Sequence, residues 1–217
     1  MPAVIFDLDG TLVDSVYQHV VAWRAGLQAA GIELSVWKIH RRIGMSGGLL
    51  VHALAREAGR ELDAAVLQRV QDVHAEEYIR SIDTVRPLPG AVELLHRLTE
   101  EQVPWAIATS GRRKTAEIAL RLLPPAPVVI TREDVGRAKP DPDLFLEAAM
   151  RLSYPIEDSI IVGDSVWDLL AARRARALGI GLHSGGYGRD ELQSAGAYRV
   201  YDDPADLLDH LDEVGIR

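Results

Sequence analysis

A short apolar run, Ala3-Val4-Ile5-Phe6, ends on Asp7-Leu8-Asp9-Gly10-Thr11, and this junction limits what the chain can be more than any other stretch. A β-rich run closed by two carboxylates and a glycine reads as a buried strand delivering charge to a sheet edge, where α/β proteins build their sites. Asp7 and Asp9 are two apart, so extended geometry through Leu8 would turn both side chains the same way. Carboxylates held like that repel and raise one another's pKa until a cation or a proton intervenes. A plain Asp-Gly turn accounts for Asp9-Gly10 but not for Asp7.

The second half of the chain alternates short apolar runs with amphipathic stretches. Residues 103–109 (VPWAIAT), 128–131 (VVIT), 159–164 (SIIVGD) and 180–183 (IGLH) are strand candidates. Helical spacing falls near 113–122, 142–152 and 167–177, and a terminal amphipathic helix is expected from Pro204. Such a βαβ series predicts an α/β fold: a Rossmann-like parallel sheet with helices on both faces and functional groups at the carboxyl ends of its strands. Asp7, Thr109 and Asp164 then arrive at one edge.

Between about Ser15 and Thr84 the strand signal disappears. Val16, Val20, Trp23, Leu27 and Ala30 recur at helical steps up to Gly31. Leu49, Leu50, Ala53 and Leu54 stop at Gly59, and Val66, Val70 and Val73 mark another helix. This predicts a helical insertion, residues 15–84, set into an α/β core made of 1–14 and 85–217. Return to the core runs through Arg86-Pro87-Leu88-Pro89-Gly90, whose prolines and glycine suit a stiff hinge.

Composition narrows the function. A net charge of −8 argues against a nucleic-acid or anionic-membrane surface, each of which needs a basic face. The absence of cysteine excludes disulfides, thiolate catalysis and cysteine zinc sites, and fits a reducing cytosol. No apolar run approaches membrane length, and the first residues lead into a strand rather than a signal peptide. The expectation is a cytoplasmic protein, a monomer or weak homodimer, whose partner is a small metabolite.

Four motifs stand at predicted strand ends or helix starts: Asp7-Leu8-Asp9-Gly10-Thr11, Thr109-Ser110-Gly111, Lys139-Pro140-Asp141-Pro142, and Gly163-Asp164-Ser165 with Asp168 four residues past Asp164. In that order and spacing the chain resembles the haloacid-dehalogenase-like (HAD) hydrolases, over essentially its whole length. The insertion sits where that superfamily carries a helical cap. The resemblance implies a phosphatase in which Asp7 attacks phosphorus to give an aspartyl phosphate.

A phosphate monoester dianion repels a carboxylate, so the attack needs a divalent cation and several hydrogen-bond donors to screen the charge. Asp7 and Asp164 can hold a hard, oxygen-preferring ion such as Mg²⁺. By the resemblance, the backbone carbonyl of Asp9 completes the protein's share of that shell, which leaves the Asp9 side chain to protonate the leaving alkoxide and then deprotonate water. Removing such an acid/base costs about 10²–10⁴ in rate.

Thr109 offers a hydroxyl, and the N–H groups of Ser110 and Gly111 open a helix where an anion is favoured. A helix cap is the other reading of Thr109, and the resemblance selects phosphate binding. Lys139, one of three lysines with Lys38 and Lys114, supplies a point charge against nucleophile and phosphate. Asp168 reaches the metal through water or orients Lys139.

In the insertion, the pattern DS-x-x-x-H-x-x-x-W over 14–23 looks like the β-phosphoglucomutase and sugar-phosphatase branch, where a histidine at the place of His19 lies near the acid/base; a packed structural histidine is the equal alternative. The loop Arg41-Arg42-Ile43-Gly44-Met45-Ser46-Gly47-Gly48 is similar to one that faces the active site in phosphoglycolate phosphatases, so Arg41 or Arg42, with Gly44, is expected to meet the substrate. A haloacid dehalogenase lacks the second aspartate, and phosphonoacetaldehyde hydrolase needs a cap lysine and also lacks it. A signalling receiver domain carries its aspartate mid-chain without a cap. A β-phosphoglucomutase remains the competitor, although Gly163 stands where those mutases carry an acidic residue. The expectation is Mg²⁺-dependent hydrolysis of a phosphoglycolate- or sugar-phosphate-type ester.

Overall fold

The computed structural model describes residues 2–216. Strand β1 (Ala3–Phe6) leads through a bend into the two-residue β2 (Val13–Asp14), followed by α1 (Val16–Ala29), α2 (Val36–His40), α3 (Gly47–Glu57) and α4 (Ala64–Ser81). The chain returns on β3 (Arg86–Pro87). It then alternates through α5 (Ala91–Glu100), β4 (Trp105–Ala108), α6 (Arg113–Leu120), β5 (Val129–Ile130), α7 (Asp143–Arg151), β6 (Ser159–Gly163), α8 (Val166–Ala175), β7 (Leu178–Leu182), α9 (Arg189–Ala195), β8 (Ala197–Tyr201) and α10 (Pro204–Asp209).

Six strands form one sheet in the order β5-β4-β1-β6-β7-β8, and every pairing in it is parallel. The fold is the expected α/β arrangement. Its central strands are apolar on both faces because helices cover both. Val4 and Phe6, with Ile160 and Val162, pack against Leu94, Leu95 and Leu98 of α5 and Leu207 of α10. Ile5 and Ile161 point the opposite way, against Phe145 and Ala148 of α7 and Ala171 and Ala172 of α8, as the two-residue period of a strand requires.

Helices α1–α4 surround a separate cluster: Val16, Val20, Trp23 and Leu27 of α1, Ile39 of α2, Leu50, Val51 and Leu54 of α3, and Val70 of α4. The spacing read from the sequence marked α1, α3 and α4; α2, five residues long, gave too short a period to read. The proline-rich return, expected as a stiff hinge, begins as a paired strand. Val13 pairs with Pro87 and Asp14 with Arg86 in an antiparallel ribbon, a place where proline is tolerated because one edge of each strand needs no donor. At the other end, the helix expected from Pro204 stops at Asp209 and continues as a 3-10 turn, Leu211–Val214; Arg217 lies outside the described residues.

Candidate active site

Strand β1 lies between β4 and β6, so its carboxyl end opens into the crevice where successive connections leave in opposite directions along the sheet. Asp7 N donates to Val162 O (2.9 Å), fixing the residue beyond β1 to the end of β6. The chain then leaves strand geometry at Leu8, whose side chain is buried in the core. Asp7 and Asp9 nonetheless line one cleft.

Their surroundings differ. Asp7 Oδ1 receives the Lys139 ammonium, which is also 2.8 Å from Asp168 Oδ1. Both Lys139 and Asp168 are 0 % exposed, and of the two roles expected for Asp168 the contact seen is the one that orients Lys139. Its other oxygen, Oδ2, accepts from Ser165 N (3.1 Å) and the Ser165 hydroxyl, closing a capping box at the start of α8. One carboxylate thus starts a helix and anchors the lysine. Asp164 accepts from the Thr11 hydroxyl at 3.0 Å.

Two glycines make room for Asp164. Gly10 has φ +84°, a left-handed conformation that suits glycine, and a Cβ there would lie 2.6 Å from Asp164 Oδ2. At Gly185, just after β7, a Cβ would come within 1.8 Å of the same oxygen. Ser184 of the same loop donates from its hydroxyl to Gly10 O at 2.6 Å.

Asp7, Asp164 and Asp168 each place an oxygen within 4.8 Å of the others, against a single ammonium. Burial pushes the Asp7 carboxyl up to about 7, with Asp168 and Asp9 adding to the effect and Lys139 opposing it. Burial likewise lifts Asp164 well above the carboxylate range, and the charges of Asp168 and Asp7 add to it. Lys139 is disfavoured by burial, yet Asp168 and Asp7 together hold it above the ordinary lysine range. A buried, oxygen-only cluster with excess negative charge fits a hard dication. With Asp168 engaged by Lys139 and Ser165, Asp7 and Asp164 are the side chains that would hold it.

Asp9 behaves in the opposite way. Burial works against its charge, but His19, 3.1 Å away through Nε2, and the Ser15 hydroxyl at 2.6 Å hold its carboxyl below the usual value. The repulsion anticipated between Asp7 and Asp9 therefore burdens Asp7 rather than Asp9.

Thr109, Ser110 and Gly111 follow β4 and line the same cleft. Thr109 Oγ1 accepts from Gly111 N at 2.9 Å. Ser110 Oγ is buried with no hydrogen-bond partner among the described residues, leaving a donor unspent at this loop. The helix cap is Arg112, not Thr109.

The helical unit closes the other side. The cleft, about 600 Å³, is bounded there by Trp23, Ile43, Met45, Leu49 and Leu50, with His52, Gln71 and His74. Gly44 lines it too and packs on Ser165 and Trp167 of the core. Arg41 and Arg42 are not brought to it. Arg41 is paired with Glu191 (2.5 Å) and lies over the Tyr187 ring, while Arg42 is paired with Glu57 (2.5 Å). Each arginine found a carboxylate of its own outside the cleft, one on the core and one on α3. The arginines that line the cleft are instead Arg112, hydrogen-bonded to Gln71 Oε1 of α4, and Arg132, which donates to Val135 O at 2.7 Å. Sequence reasoning passed over Arg112, Ser15, Gln71 and His74. Ser15 stood in the DS-x-x-x-H-x-x-x-W pattern without a role assigned to it, and His74 left a trace in its four-residue spacing between Val70 and Tyr78 on the buried face of α4.

The family profile described as haloacid dehalogenase-like hydrolase matches residues 1–176. A hydrolase from Pseudomonas syringae, known from its crystal structure, superposes with a TM-score of 0.96 at 51% identity, covering 99% of each chain. Hexitol phosphatase A of Escherichia coli (strain K12) is 33% identical over 175 residues, 79% of this chain and 78% of that one. Validoxylamine A 7'-phosphate phosphatase of Streptomyces hygroscopicus subsp. limoneus is 31% identical over 182 residues, 82% and 84% of the two chains. With four motif-bearing loops meeting at one sheet edge and a matching profile over most of its length, the chain belongs to the haloacid dehalogenase-like hydrolases.

Proposed function

We propose that this protein is a Mg²⁺-dependent phosphoric monoester hydrolase working through an aspartyl phosphate on Asp7. The observation that carries the reading is the union at one buried point of Asp7, Lys139, Asp168 and Asp164, with Asp9 on the same cleft but in a separate hydrogen-bond environment. The names of the two phosphatase relatives agree with it.

Asp7 and Asp164 would hold the ion, joined by the backbone carbonyl of Asp9. Bound Mg²⁺ would screen the charge between carboxylate and phosphate. Lys139 neutralises Asp7 and fixes which oxygen faces the substrate. Thr109 and Ser110 offer donors to the phosphate oxygens, and the unspent Ser110 hydroxyl supports that role, whereas the Gly111 N–H expected to join them is given to Thr109 Oγ1. Attack by Asp7 forms an O–P bond and breaks the bond to the leaving oxygen, which takes a proton from Asp9; Asp9, ionised in the free site, would first take that proton from the monoanionic ester as it binds. Asp9 then removes a proton from water, whose oxygen attacks phosphorus and frees Asp7 and inorganic phosphate. Helices α1–α4 act as the cap, excluding water from the cleft.

A sugar phosphate suits this cleft better than phosphoglycolate does. The cap arginines expected to meet a carboxylate, Arg41 and Arg42, are paired elsewhere, and the two that do line the cleft are engaged as well, Arg112 with Gln71 and Asp72 and Arg132 with the carbonyls of Val135 and Gly136. What bounds the cleft on the cap side is an apolar wall interrupted by His52 and Gln71, roomy enough for a polyol or sugar. Against a mutase stands Gly163, where a Cβ would lie 2.3 Å from Asp168 Cβ; the packing leaves no place for an acidic side chain there.

The test is a kinetic screen of small phosphate esters with Mg²⁺, with Asp7→Asn as control. We expect turnover of sugar or polyol phosphates and its loss by more than about 10³-fold in the variant. Absence of phosphate release from every ester, or full activity of Asp7→Asn, would refute the assignment. Isomerisation of β-glucose 1-phosphate with a bisphosphate requirement would establish the mutase instead.

A further inference from the structure

We propose that His74 is a positioning residue for the acid/base, holding the His19 ring in the tautomer that presents Nε2–H to Asp9. The inference rests on the phosphatase reading only in taking Asp9 as that acid/base. His19 Nε2 lies 3.1 Å from Asp9 Oδ1, and the other ring nitrogen, Nδ1, lies 3.0 Å from His74 Nε2. An ionised carboxylate only accepts, so Nε2 of His19 carries a hydrogen. In the neutral imidazole Nδ1 is then an acceptor, and the donor facing it is His74 Nε2–H. Which nitrogen of a histidine holds the proton is set by the bond the other one makes.

The rings are clamped for this purpose. Trp23 stacks on His74 with centroids 3.7 Å apart and planes at 14°, and Tyr78 stacks on His19 at 3.9 Å and 6°. Trp23 and His19 come from α1, His74 and Tyr78 from α4, so the array ties the two helices to the core through Asp9. Burial pushes His74 well below the usual histidine range, into the neutral form that has one donor and one acceptor nitrogen.

The consequence falls on Asp9. Its Oδ1 accepts from both Ser15 and His19, which leaves Oδ2 to exchange a proton with substrate. Oδ2 lies toward the phosphate loop, 3.8 Å from where a Cβ on Gly111 would be. With the opposite tautomer, the Nε2 lone pair would face Oδ1, two acceptors would repel, and the carboxylate would turn away from this orientation.

The pair His74→Phe and His74→Gln separates this role from packing. Phenylalanine keeps the stack on Trp23 and loses the hydrogen bond; glutamine loses the stack and keeps a nitrogen donor at similar reach. His74→Phe should lower kcat by on the order of tenfold or more with KM within about twofold, and His74→Gln should stay within about threefold of the wild type. Wild-type kcat in His74→Phe, a rise in KM in place of the fall in kcat, or equal loss in both variants would overturn the proposal. The ¹⁵N shifts of the His19 ring give a reading that needs no turnover, so they decide the point even if the phosphatase assignment itself fails. An Nε2–H tautomer in the wild type that is lost or mixed in His74→Phe is expected; Nδ1–H in the wild type, or an unchanged ring in the variant, refutes it.

Discussion

Lys139 is the residue on which the site's electrostatics turn. Its ammonium is buried against two carboxylates, and its stem lies beside Phe145, 5.1 Å from the ring centroid to Nζ. Removing it leaves three buried carboxylates without their cation, so Lys139→Met should destabilise the metal-free protein by about 3–5 kcal/mol, read from urea unfolding. A change below 1 kcal/mol would show that the cluster protonates at little cost. Gly185 tests the cradle of Asp164: Gly185→Ala should weaken Mg²⁺ binding by about tenfold or more, measured by titration calorimetry, because the new methyl would displace the ligand oxygen. Asp7 and Asp164 were legible in the sequence because each stands directly after a strand, and Lys139 and Asp168 because each lies in a short motif beside a helix start. Ser15, Arg112 and His74 were not, since their roles come from contacts with residues brought close only by folding. Arg41 and Arg42 show the converse. Two adjacent cations in a glycine-rich loop read as a binding feature, but Glu191 and Glu57, distant in sequence, had already claimed them.

Strands were legible in proportion to how completely they are buried, but helix α5, with Ala91, Leu94, Leu95 and Leu98 all buried, went unmarked. Strands β1, β4 and β6 carry apolar residues on both faces and announce themselves as runs. Strand β8 lies at the sheet edge with Tyr198 exposed and only its last two residues buried, so it leaves no such run. Helix α1 was marked by its stripe of Val16, Val20, Trp23 and Leu27, and α4 by its valines, but the start of α4 is fixed by a polar residue. Asp63 accepts from Val66 N at 2.8 Å. Asp63→Ala should therefore cost about 1 kcal/mol of stability, seen as a lower urea midpoint with an unchanged slope. An altered slope would mean that the helical unit unfolds apart from the sheet.

At the scale of the whole molecule, stability, pH and metal are one equilibrium. In the metal-free protein the Asp7 carboxyl is raised from 3.8 to about 7, and Asp164 is raised as well. A carboxyl raised by folding contributes stability below its unfolded value and loses that contribution as pH climbs through the folded one. Mg²⁺ takes the place of the proton, so the rise in Tm on adding it should grow between pH 6 and pH 8. At 100 times its Kd the ion is worth about 2.7 kcal/mol. Equal increments at both pH values would contradict this placement of the metal. Among the described residues no helix is long and apolar enough to cross a membrane; the cleft lies between the sheet edge and the overlying helices α1–α4. The antiparallel ribbon of Val13-Asp14 with Arg86-Pro87 joins the two. Outgoing and incoming chain stand shoulder to shoulder, so the covalent traffic between sheet and helical unit passes through one paired seam, and every other tie between the two, such as Arg41 to Glu191 or His19 to Asp9, is non-covalent.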